Sequence, residues 1–128
     1  MERFISIFKG HLQGIMTEES YVKMAESLEG NWYAVSFMEK NFKVNQLTGA
    51  ETGAMLLDLY KEVRERKSIS GKFPHTYVRD REMPVFIKLY DPKKCGGSCS
   101  TVAPDPWWIF SQVEPTHDEL TFLLKNKK

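Results

Sequence analysis

The chain has 128 residues, with 18 Lys and Arg against 17 Asp and Glu, so its formal charge of +1 gives no global field to draw it to nucleic acid or an anionic membrane. At 14.9 kDa it suits a single domain over residues 1–128, because two halves would each bury too small a core. Apolar residues at 41%, among them 8 Phe, 5 Tyr and 3 Trp, argue against wholesale disorder.

No window approaches the ~18 apolar residues of a membrane span. The apolar run near the start is too short for a secretory signal, and two cysteines are too few for a secreted disulfide scaffold. A soluble cytoplasmic protein is the expectation.

Phe4, Phe8, Leu12, Ile15 and Met16 recur at three- and four-residue spacing and predict a first helix. Gly10 and Gly14 weaken it by ~1 kcal/mol each. Its polar side offers only Arg3, Lys9 and His11, so a core-packing helix outweighs a membrane anchor. Thr17 with Glu18 and Glu19 starts a second helix to about Leu28, which Gly30 stops. Residues 31–42 fit two periods. Tyr33, Val35 and Phe37 alternate like a strand, whereas Val35, Met38 and Phe42 keep helical spacing. Length, the Glu39 to Asn41 run and Asn31 as a cap select helix.

Thr48 to Glu51 reads as a capping box opening a helix that turns Met55, Leu56, Leu59, Tyr60 and Val63 inward, before Gly71 and Pro74 end any continuation. From His75 the preferences shift to strands. Residues 76–78 and 85–90 form a hairpin around Arg79 to Glu82, with Val85, Ile87 and Leu89 toward the helices and Phe86, Lys88 and Tyr90 on the other side. Trp107 to Val113 supplies a third strand. Thr116 to Glu119 caps a closing helix carrying Leu120, Phe122, Leu123 and Leu124. The expected fold is α+β: a small three-stranded antiparallel sheet packed against helices on one face. Its other face, with Phe86, Tyr90 and one of Trp107 and Trp108, is an aromatic surface of the kind partners use, unless a helix or second subunit hides it.

Chemistry concentrates in the 16-residue connection from Asp91 to Pro106, which holds Cys95 and Cys99, the only cysteines. Such length favours a functional or mobile loop. Three readings compete for the sulfurs. Lys93 and Lys94 favour a thiolate, so the pair suits dithiol–disulfide cycling, although the spacing is not Cys-x-x-Cys. With His75 and His117 they make a two-thiolate, two-imidazole zinc set, at a spacing no standard finger has. The third reading, two ordinary thiols or a static clasp, carries the most weight.

The run Cys95 to Thr101 has the composition of a phosphate cradle, but a strand follows it instead of a helix. No arginine follows either cysteine, which removes a cysteine phosphatase. Lys61, Arg64, Arg66, Lys67, Lys72, Arg79 and Arg81 with Tyr77 or Phe73 sketch a nucleic-acid surface, diluted by Glu62, Glu65, Asp80 and Glu82. No complete catalytic signature is present. The leading expectation is a small accessory or regulatory protein, rather than an enzyme, that binds another protein through the aromatic face (Phe86, Tyr90, Trp107, Trp108) and the Cys95–Cys99 loop. A thiol enzyme with His75 as base, and a zinc-stabilised module, are the alternatives.

Overall fold

The computed structural model describes residues 3–15, 17–37, 41–65, 75–80, 82–90 and 108–125. In chain order these build α1 (Phe4–Lys9), β1 (Gln13–Ile15), α2 (Glu18–Glu26), β2 (Asn31–Phe37), β3 (Phe42–Thr48), α3 (Gly49–Glu65), β4 (His75–Arg79), β5 (Phe86–Tyr90), β6 (Trp108–Ser111) and α4 (His117–Lys125). The strands form one six-stranded sheet in the order β1-β4-β5-β6-β2-β3, with every neighbouring pair antiparallel. The α+β class stands. A three-stranded sheet covered on one face does not: the sheet is twice that size and helices cover both faces.

Each extra strand has a physical reason. In β2 the two-residue period prevails, sending Trp32 and Ala34 to one core and Val35 to the other. Because both faces of this strand are buried, its apolar residues do not alternate cleanly with polar ones, and over residues 31–37 the expected helix is corrected to a strand. β3 lies at the sheet edge with Lys43, Val44, Asn45 and Gln46 all exposed, and its alternation of Phe42 and Val44 with Lys43 and Asn45 breaks at Gln46 and Leu47, which leaves too short a period to read. The first helix ends at Lys9, where the Gly10 N–H donates to the Ile7 carbonyl. Beyond it Gln13, Gly14 and Ile15 pair with Val78, Tyr77 and Thr76. The helix expected through Met16 is thus a short helix and a strand, divided where glycine makes continuation costly.

The helix starts follow local chemistry. The Thr17 hydroxyl accepts from the Ser20 N–H. In the Thr48 box the Thr48 N–H donates to Glu51 Oε1 at 2.9 Å and the Glu51 N–H donates to Thr48 Oγ1 at 3.1 Å. Gly30, at φ 83°, turns the chain from α2 into β2. α3 crosses α2 so closely that a Cβ on Gly53 would run into the Ala25 carbonyl oxygen.

Two cores result. Between the sheet and α2/α3 lie Tyr21, Met24, Ala25, Leu28, Trp32, Leu56, Val78, Ile87, Leu89 and Phe110. Between the sheet and α1/α4 lie Phe4, Ile7, Val35, Phe86, Ile109 and Leu120. Among the described residues, no helix is long and apolar enough to cross a membrane.

Candidate functional site: a lysine among rings

Strand β5 reads Phe-Ile-Lys-Leu-Tyr, and its alternation divides Ile87 and Leu89 from Phe86, Lys88 and Tyr90 as expected from the sequence, but the second side is covered by α1 and α4 and is not the open aromatic face expected there. α1 then separates the fates of these three. Phe4 and Phe8 meet the Phe86 ring edge-on at 5.4 and 6.5 Å, and Phe86 is fully buried. Tyr90 and Lys88 remain half-buried.

Lys88 occupies an interior position of the sheet, opposite Tyr77 on β4 and Ile109 on β6. Its ammonium lies 4.3 Å from the centre of the Phe8 ring and 5.5 Å from that of Tyr90. The Tyr77 and Tyr90 rings meet edge to face at 5.8 Å. Beyond Tyr77 the strand partner is Gly14, which has no side chain to cover the ring, and Tyr77 is 40% exposed. Among the described residues no carboxylate pairs with Lys88. Burial lowers its ammonium below the ordinary lysine value, since rings replace only part of the lost hydration.

A second electrostatic feature holds α1 over this region. Glu119 closes the capping box of α4, accepting from the Thr116 N–H at 3.0 Å, while its other oxygen accepts from the Ile5 N–H at 2.8 Å. One carboxylate therefore satisfies first-turn groups of two helices. Burial pushes the Glu119 carboxyl up, but the bonds from Ile5 and Thr116 and the nearby Arg3 charge outweigh it and the net shift is downward. Elsewhere, the Tyr21 hydroxyl donates to the Leu56 carbonyl between α2 and α3, and burial raises its pKa far above the usual phenol value.

The other residues singled out from the sequence do not converge here. Trp108 lies on the α2/α3 side, stacked on Phe110 at 5.8 Å. Cys95, Cys99 and Trp107 lie outside the described residues, as do Arg66, Lys67, Lys72, Phe73 and Arg81 of the basic set. The His75 backbone belongs to β4, whereas the His117 ring packs on Phe42 of β3 at 5.6 Å. β4 and β3 are four strands apart, about 19 Å at ordinary spacing, so the structure does not bring the two histidines of the zinc set together. No group of three or more metal-ligating side chains occurs among the described residues. Lys88 lies on the face expected from the sequence, but neither it nor Phe8 was singled out there as a site residue, and Tyr77 was named only as a stacking residue of the basic surface. The available signal was a charge inside an otherwise apolar five-residue strand.

No protein-family model, curated protein or solved structure matches the chain.

Proposed function

We propose that this protein is a small accessory or regulatory module that binds another protein, taking an acidic segment of it at the Lys88 patch. The observation that carries this reading is an ammonium set against two ring faces with no carboxylate beside it among the described residues. A partner carboxylate would supply the missing charge in a half-dry setting, where a charge-assisted hydrogen bond is worth more than on open surface. Tyr77, exposed at the rim, adds the flat amphipathic area that binding surfaces favour.

The test is an amide NMR titration of the whole protein with a glutamate-rich peptide, with a lysine-rich peptide as control. Shifts should cluster at Phe8, Tyr77, Lys88 and Tyr90 with the acidic peptide alone and vanish in Lys88→Met. Affinity capture from cell extract adds the cellular arm, because a protein partner should be retained by wild type and lost by Lys88→Met and Tyr77→Ala. An acidic peptide that leaves these four residues unmoved, or equal recovery by the folded variants, rejects the reading.

A further inference from the structure

The edge strand β3 carries an independent inference. Its seven residues pair without interruption with β2, from Thr48 opposite Asn31 to Phe42 opposite Phe37. The strand contains no proline, and Lys43 is its sole charge. Proteins usually blunt an edge of this length with bulges, prolines or several charges.

The hydrogen-bond phase shows which groups face outward. The Gly49 N–H donates to the Gly30 carbonyl at 2.8 Å, and bonded pairs alternate along an antiparallel ladder. Lys43, Asn45 and Leu47 therefore bond to β2, while Phe42, Val44, Gln46 and Thr48 aim their backbone groups away from it. Two of the four outward amides are already occupied, Phe42 by Asn41 Oδ1 at 2.8 Å and Thr48 by Glu51 Oε1 at 2.9 Å. The edge is closed at both ends. Between them the amides of Val44 and Gln46 have no partner among the described residues, and the Val44 side chain is 40% exposed.

We propose that β3 is the pairing edge for a second copy of this chain, joining two six-stranded sheets into one about a two-fold axis at Asn45. In that register Val44 of each copy faces Gln46 of the other, so each free amide meets a carbonyl of an unblocked residue and the pairing is reciprocal. The blocked amides fall at the two ends. Lys43 faces Leu47 of the other copy, which keeps the two lysine charges four residues apart along the strands, about 13 Å and beyond a Debye length at physiological salt. The strand is thus complementary to itself in hydrogen bonding, with its occupied amides at the two ends and its like charges kept apart, which singles out a second copy as its occupant.

Sedimentation equilibrium of the full chain over a rising concentration series tests this. The weight-average mass should climb from 14.9 kDa toward double that value. Asn45→Asp and Asn45→Lys each set like charges against each other on the axis and should weaken the dimer about tenfold or more, whereas a one-to-one mixture of the two should recover it. Asn45 is exposed, so both variants should melt like wild type. With Cys95 and Cys99 replaced by serine, Asn45→Cys should cross-link under air, because a non-bonded antiparallel pair places the two Cα atoms ~4.5 Å apart. A wild-type mass fixed at 14.9 kDa at every concentration overturns the proposal, as does a dimer that both charged variants leave intact. The edge lies three strands from β5, so this outcome is independent of the Lys88 reading.

Discussion

The two faces of the sheet are covered by helix pairs of very different grip. On one side, 17-residue α3 crosses α2 at a glycine contact over a core that runs from Ile15 to Phe110. On the other, α1 has six residues, too few to hold a helix alone, and its N-cap position Arg3 makes no side-chain cap bond. It stays in place because Phe4 and Ile7 are buried and because Glu119 reaches across to the Ile5 amide. The strongly held face carries stability. The lightly held face has the half-buried lysine, which a uniformly sealed core would exclude.

The α2/α3 face depends most on Trp32, fully buried in its core with its indole N–H donating to the Glu29 carbonyl at 2.8 Å. Trp32→Ala should cost about 4 kcal/mol in urea unfolding and loosen the whole molecule together. Gly53→Val comes next. Its side chain must displace the Ala25 backbone, and a loss of about 3 kcal/mol is expected from the same measurement. If either variant unfolds only α2 and α3 and leaves the sheet protected in hydrogen exchange, that face is not the framework described above.

Glu119 sharpens the contrast from the other side. Glu119→Ala removes a capping-box partner and orphans the Ile5 amide, for about 2 kcal/mol. Lost exchange protection should be confined to α1 and α4, with α3 unchanged. The pH sign follows from the carboxyl lying below its ordinary value of 4.5: its stabilisation is complete above that value and disappears as pH falls through the lower value it has in the folded protein. Acid should therefore release α1 first in wild type. Glu119→Gln should flatten that dependence.

What could be read from the residues alone divides along the same physical line. Both capping boxes were legible, since each is closed by bonds spanning three residues. The sides of Ile87, Leu89, Phe86 and Lys88 were legible because strand alternation is local. β2 was obscured because helices bury both of its faces, β3 because an edge strand keeps four consecutive residues in water, and β1 because three residues carry no period. The Lys88 patch is a product of register: Tyr77 is opposite Lys88 only once β4 and β5 pair, and Phe8 arrives from a helix eighty residues earlier in the chain. Cys95 and Cys99 were visible as chemistry, but they lie outside the described residues.

The smallest expected effect is the most informative about the patch. Met in place of Lys88 keeps an unbranched stem over Phe8 and removes the charge. Burial holds the lysine pKa below 10.5, so between the two values the unfolded chain binds more protons than the folded one. Stability contributed at this position must then rise as pH climbs through that window, and the charged form is a net cost at neutral pH. Lys88→Met should stabilise the protein by about 0.5 kcal/mol at pH 7, a small figure because the ammonium keeps part of its solvent, and the gain should shrink as pH approaches 10.5. If Met instead lowers the melting temperature at pH 7, the cation–ring contacts outweigh desolvation, and Lys88 is a clamp between α1 and the sheet that has no need of a partner's carboxylate.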